Sequence, residues 1–395
     1  MSTTGAASLA MDPATVAVGH REFYWYFLRL GATGFGGPIA LAGFMQRDLV
    51  DERRWISRQD YLDGLALAQL APGPLAAQLA MYLGYVHAGI VGATIVSACF
   101  ILPSFLMVWA ISVAYVRFGG LPWMQALFYG IGAAVIGIIA RSAFKLTKLT
   151  LRRSALLWAI FVVMAVATAW TEREIAWLFV AAGLVTAAPL GFRAIGSRAS
   201  RNLAGVALFT VAAPAAAASV PPSLGNIFFL FAKAGAFVFG SGLAIVPFLY
   251  GELVQSHAWL TDRQFLDAVA VAMITPGPVV ITVAFIGYLV AGAAGMVVAA
   301  VGVFLPVYVF VVVPAPYFRR HRSQPVIGAF VQGVSAAATG AIAGAAYVLA
   351  RRSVIDIWTA ALAIGTLVIL MRWKVSELWL IGASGGIGLL LSYPR

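Results

Sequence analysis

The sequence predicts an all-α polytopic membrane protein of two inverted-topology repeats, each with broken or re-entrant helices. Three observations carry that expectation. Of 395 residues, 62% are hydrophobic and only 10% charged, against about 25% charged in a soluble domain; so few charges cannot cover soluble surfaces. About 13 apolar segments follow one another along the chain, several near the roughly 20 residues a helix needs to cross the hydrocarbon. The chain also repeats itself. A shift of 204 places Gly31 on Gly235, Phe35 on Phe239, Gly36 on Gly240, Trp55 on Trp259, Asp63 on Asp267 and Pro72-Gly73-Pro74 on Pro276-Gly277-Pro278. A shift of 203 then places Gly84 on Gly287, Gly92 on Gly295, Pro103 on Pro306, Gly130 on Gly333 and Gly137 on Gly340.

Residues 1–20 form a small, polar tail without a basic stretch leading into an apolar run, so the start does not read as a signal peptide. The first repeat, 21–191, holds apolar segments near 23–46, 61–87, 88–116, 121–144, 155–171 and 174–191. A linker, 192–225, contains one extra apolar stretch from Leu203 to Val220. The second repeat, 226–395, has segments near 227–251, 265–287, 289–314, 325–349, 355–371 and 375–393. An odd number of spans between the halves inserts the second upside down, the plan of many secondary transporters.

The net charge of +12 sits in short loops between apolar runs. Positive-inside bias explains it better than a nucleic-acid footprint, so no nucleic-acid partner is expected. The bias also favours a cytoplasmic loop for Arg47, Arg53, Arg54 and Arg58, which requires the first two segments of each half to be re-entrant. If all the segments cross, that loop falls outside; the inverted repeat survives either way.

The breaks within the first two segments of each half are where function is expected. Gly34-Phe35-Gly36-Gly37-Pro38 interrupts one helix, and its echo is Phe239-Gly240-Ser241-Gly242. Pro72-Gly73-Pro74 and Thr275-Pro276-Gly277-Pro278 interrupt the next. Proline removes a backbone donor and glycine frees φ, so each motif splits a helix in two, with Pro38, Pro74 and Pro278 suited to open the second piece. Helix N-termini aimed at the membrane interior offer N–H groups and partial positive charge to an anion. Gly73 and Gly277 are thus expected at facing tips, approaching an anion with their amides. The bland alternative is close packing of small residues, and it suffices for Gly130, Gly137, Gly340 and Gly344.

Arg29 and Lys233 occupy equivalent places just before the Gly-rich breaks. A charge inside an apolar segment usually faces a cavity or partner; here it would neutralise a bound anion, unless it snorkels to the interface. Asp and Glu are absent from 64–171, 175–251 and 268–355, which disfavours cation transport. Asp63 and Asp267 come nearest the apolar segments and are candidates for proton coupling. Ser57 with Asp60, and Thr261 with Gln264, have capping-box spacing and offer these acids a structural role at a helix start.

Catalytic constellations are missing: no HExxH or P-loop occurs, the one G-x-S-x-G match, Gly382 to Gly386, lies inside an apolar run and not at a nucleophile elbow, and the four histidines stand at segment ends or in loops. Cys99 is the single cysteine, excluding an intramolecular disulfide. No enzyme activity, metal or cofactor is expected.

In order and in duplicate, Gly34 to Pro38, Trp55 with Asp63, Ala71 to Pro74, and their echoes resemble the chromate ion transporters in their long, two-domain form. The resemblance covers about 21–394. It implies efflux of chromate across the bacterial cytoplasmic membrane, antiport and chromate resistance, with sulfate as the related anion. Residue physics by itself says "anion". It leaves open a sulfate or other oxyanion importer or exchanger, an anion channel on the same scaffold, and a homodimer. Ser241 and Gly242 replace Gly37 and Pro38, so the halves need not contribute equally.

Overall fold

The computed structural model describes residues 15–35, 37–119, 121–151, 154–171, 176–195, 222–237, 245–318, 325–373 and 375–391. The stretch Leu203 to Val220, Gly36, and the motif Phe239-Gly240-Ser241-Gly242 lie outside them. Regular structure among the described residues is helical.

In the first half come α1 (His20–Thr33), α2 (Gly37–Met45) running into a π-helical turn, α3 (Arg58–Leu70), α4 (Leu75–Phe118), α5 (Pro122–Leu151), α6 (Ala155–Thr171) and α7 (Ala176–Ile195). In the second come α8 (Leu224–Phe237), α9 (Ile245–Tyr250) with its own π turn, α10 (Asp262–Ile274), α11 (Thr282–Val312), a short α12 (Ala315–Phe318), α13 (Pro325–Ser353), α14 (Ile357–Arg372) and α15 (Glu377–Leu391). Even the backbone irregularities recur: positive φ at Arg54 and Ala258, at Gly73 and Gly277, and at Gly89 and Gly292.

The capping expectation holds in both halves. The Ser57 hydroxyl accepts from the Asp60 amide at 3.0 Å, and Thr261 with Gln264 closes a reciprocal capping box. Each capped helix leads into a fold-back rather than a straight crossing. α3 is 13 residues long, about 20 Å, short of the roughly 30 Å hydrocarbon core. Beyond the Pro-Gly-Pro break the chain returns along α3, so that a Cβ on Gly64 would run into the Tyr82 ring.

The 44-residue α4 is itself two limbs. Ala88 and Gly89 leave helical geometry, and Gly89 adopts φ 60, ψ −147, a region open only to glycine. In a straight helix Gly84 and Gly92 would stand about 12 Å apart, yet a Cβ on Gly84 would meet the Gly92 carbonyl oxygen at 2.6 Å. The limbs therefore turn back on each other. Ala291-Gly292 and the Gly287/Gly295 contact repeat the device in α11.

Four helical stretches are long and apolar enough to cross a membrane, within α4, α5, the α11 region and α13, and shorter apolar helices accompany them. Their apolar outer residues fit a lipid surface; Trp170 and Trp379, for example, are 86% and 77% exposed. The halves exchange partners. α5 packs on α14 and α15, while α13 packs on α6 and α7. Small residues make this possible: a Cβ on Gly137 would meet the Ala363 carbonyl at 2.6 Å, Gly344 the Ala165 carbonyl at 2.5 Å, and Gly130 and Gly340 would collide with Ser384 and Phe161. Close packing is thus the role of these four glycines.

Candidate functional site

Two of the breaks meet. α1 ends at Gly34, whose amide caps Leu30, and the chain turns at Gly37 (φ +77) into α2. From the other half, α10 ends at Thr275, whose hydroxyl bonds back to the Val271 carbonyl at 2.7 Å. The following Gly277 donates its amide to the Gly34 carbonyl at 2.9 Å. Ser104 of α4 secures the junction, donating to the Pro276 carbonyl at 2.7 Å and standing 3.2 Å from the Gly31 carbonyl.

A cavity of about 380 Å³ opens beside this junction. Phe35, Gly37 and Pro38 line it from the first break, and Thr275 and Gly277 from the second. It is also lined by Arg141, Ser142 and Lys145 of α5 with Ser376 and Glu377 at the start of α15. The Arg141 guanidinium meets the Glu377 carboxylate at 3.0 Å. The N-termini of α2 and α15 both border the space, adding partial positive charge to the two basic side chains. Such a cavity suits a small anion.

One expectation fails here. The Gly277 amide is occupied by Gly34 and is not offered to a ligand; the tight junction between the halves has claimed it. Gly73 stands elsewhere, beside Val307 and Gln78, and the buried Gln78 amide donates to the carbonyls of Ala71 and Pro72 at 3.2 and 2.7 Å. Neither Gly73 nor its neighbours Pro72 and Pro74 line this cavity, and Pro276 and Pro278 shape the turn without lining it.

The basic pair also sits apart from the cavity. Lys233 forms an ion pair with Glu252 of the π turn at 2.7 Å, in a cleft shared with His257 and Trp259. Arg29 occupies the equivalent cleft with Arg47, Asp48, Glu52 and Arg53. A π-turn carboxylate holds Lys233 in its cleft; beside Arg29 the π-turn carboxylates of Asp48 and Glu52 pair with Arg47. Gly34 borders both the Arg29 cleft and the cavity.

Asp63 and Asp267 are 5% and 4% exposed. Asp63 accepts from the Gln59 amide at 2.9 Å and Asp267 from the Tyr115 hydroxyl at 2.6 Å. Neither lines the cavity.

Sequence reasoning missed Arg141, Lys145, Glu377 and Ser104. The fourth apolar run is expected to end near 144, but α5 continues to Leu151, which keeps Arg141 and Lys145 helical. Their spacing of four residues, which stacks two cations on one helix face, was the available signal.

The chromate transporter family model matches residues 21–187 and 225–389. A chromate transport protein of Cupriavidus metallidurans is 57% identical over 99% of this chain and 97% of its own length. A probable chromate transport protein of Synechococcus elongatus is 55% identical over 90% of this chain and 91% of its own. An uncharacterized transporter of Methanocaldococcus jannaschii is 29% identical over 77% and 78%. No solved structure matches. The chain belongs to the chromate transporter family, in its two-domain form.

Proposed function

We propose that this chain is a secondary transporter of chromate, exporting the dianion across a bacterial cytoplasmic membrane and so conferring resistance. The observation that carries the reading is the cavity between the halves, which two helix breaks line together with Arg141 and Lys145. The names of the relatives at 57% and 55% identity supply the ion. Sulfate shares the charge and tetrahedral shape of chromate, so it is the expected competitor. The cavity is lined within one chain, so the reading needs no second copy.

The inverted-repeat plan, with about 13 segments and the early hairpins re-entrant, belongs to the same proposal. It draws support from Thr94, early in the second limb of α4, whose hydroxyl lies 2.7 Å from that of Tyr308, late in α11. Tyr308 also reaches the Ile90 carbonyl at 3.4 Å. A residue early in one helix thus touches a residue late in its equivalent, as helices related by a pseudo-two-fold axis in the membrane plane would. The fold-backs at Pro72 to Pro74 and at Ala88-Gly89 support re-entrance. Asp63 and Asp267, buried carboxylates off the cavity, are the proposed coupling residues.

Chromate flux into proteoliposomes, with sulfate competition and imposed pH and anion gradients, tests the reading. Saturable flux with counter-transport supports a carrier. Absence of chromate flux under every gradient overturns it, and non-saturating conductive flux turns it into a channel.

A further inference from the structure

Resting on the oxyanion-transport reading, the charged residues lining the cavity suggest how the ion is held. We propose that Arg141 and Lys145 bind the transported oxyanion, and that Glu377 is a tethered carboxylate occupying the Arg141 guanidinium until a tetrahedral dianion displaces it.

Arg141 and Glu377 both line the cavity and pair at 3.0 Å, with side chains 29% and 34% exposed. The contact is therefore neither sealed in the core nor free at the surface, and water can reach it. A guanidinium fork accepts a carboxylate or a tetrahedral oxyanion through the same two parallel donors. A carboxylate held there is a stand-in for the ligand. Lys145 stands one helical turn further along α5 and borders the same space, a second cation that a monovalent carboxylate leaves unneutralised. A dianion can engage both. Glu377 opens α15, so a rotamer change would carry its carboxylate away from Arg141 without disturbing the helix.

The repeat sharpens the point. The shift of 203 places Gly344 and Val348 opposite Arg141 and Lys145, so the fold does not need this cationic pair in its other half. There Gly344 serves close packing against α6. The pair belongs to the cavity rather than to the architecture the two halves share.

The test is the concentration dependence of chromate uptake by full-length protein in proteoliposomes, at matched abundance. It is paired with the chromate-induced rise in melting temperature of the detergent-purified protein. Glu377→Gln is expected to lower KM and enlarge the melting shift, the apparent affinity rising roughly fivefold as a charge-assisted competitor is removed. Arg141→Gln and Lys145→Gln are each expected to raise KM about tenfold or more. Arg141→Gln with Glu377→Gln should behave like Arg141→Gln alone, because the carboxylate acts only through the guanidinium.

The exchanged pair Arg141→Glu, Glu377→Arg separates ligand binding from a structural clasp. The proposal expects its melting temperature without chromate to recover while transport does not. Recovery of transport, or a Glu377→Gln variant that binds chromate more weakly than wild type, overturns the proposal. Wild-type flux with KM unchanged in all three single variants overturns it too and leaves the transporter reading standing. No chromate flux or binding in the wild type overturns both.

Discussion

The amide of Gly277 donates to the carbonyl of Gly34 across 2.9 Å, joining the second Pro-Gly-Pro break to the first Gly-rich break. Each half thereby depends on the other for the backbone satisfaction of its broken helix. Broken helices persist in a membrane only where their freed polar groups find such partners. The junction also forms one border of the cavity, so it helps set the cavity's shape.

Gly277 therefore tolerates a side chain less than Gly73 does. At Gly277, φ is +94 and a Cβ would collide with the Ser104 hydroxyl and lie 3.2 Å from the Gly31 carbonyl. At Gly73, φ is +140 and the nearest atom is the Gln78 amide nitrogen at 2.7 Å, on a side chain that can shift. Each carries a backbone penalty of about 1–3 kcal/mol. Gly277→Ala is expected to abolish chromate flux at matched abundance, and Gly73→Ala to lower it several-fold. The reverse order would place the critical junction elsewhere.

Lys233 and Arg29 should part company despite equivalent positions. Lys233 is 41% exposed and paired with Glu252; such a partly exposed pair contributes under about 1 kcal/mol. Lys233→Ala should leave KM for chromate within about twofold, since half-exposed pairs contribute little. Arg29 shares Gly34 as a border between its cleft and the cavity, where a cation can raise local anion concentration. Arg29→Ala should lower kcat/KM at low salt and matter less at high salt. Equal effects from the two substitutions would contradict this placement.

Tyr115 supplies the Asp267 carboxylate with a donor at 2.6 Å in a site where Asp267 is 4% exposed. Tyr115→Phe removes that donor and should destabilise the protein by about 1–3 kcal/mol. Asp267→Asn keeps an acceptor for the tyrosine, relieves burial of a charge, and should cost less. Thermal melts of the detergent-purified variants decide the order. If Asp267 also carries a coupling proton, Asp267→Asn will uncouple flux from an imposed pH gradient while sparing anion exchange. Gradient-driven flux equal to wild type would remove it from the coupling role.

Orientation can be read from two exposed sites. With Cys99 replaced by serine, cysteines placed at Arg53 and Thr261 should label from opposite sides of the membrane. Both residues are exposed in the loops that precede α3 and α10. Labelling from one side would exclude the inverted arrangement.

The helical, membrane-embedded character of the chain and its duplication were legible in the sequence, for a physical reason. Lipid forces backbone groups to pair within helices, so apolar runs and Gly or Pro interruptions report structure locally. The caps at Ser57 and Thr261, and the breaks at Gly34 to Pro38 and at the two Pro-Gly-Pro motifs, followed from spacing and side-chain chemistry. Nothing local told which break would face which. The Gly34–Gly277 junction joins residues far apart in sequence and depends on how α1, α4 and α10 pack. Arg29 and Lys233 had the right depth by position, yet carboxylates of the π turns lie beside them in clefts apart from the cavity. Arg141 and Lys145 had no echo in the other half and stood near the end of an apolar run. They line the cavity with the breaks because α5 continues past that run and packs on α14 and α15. The sequence determined where the described breaks fall and that the Pro-Gly-Pro break comes twice; tertiary packing alone decided which breaks share a cavity and which cations line it.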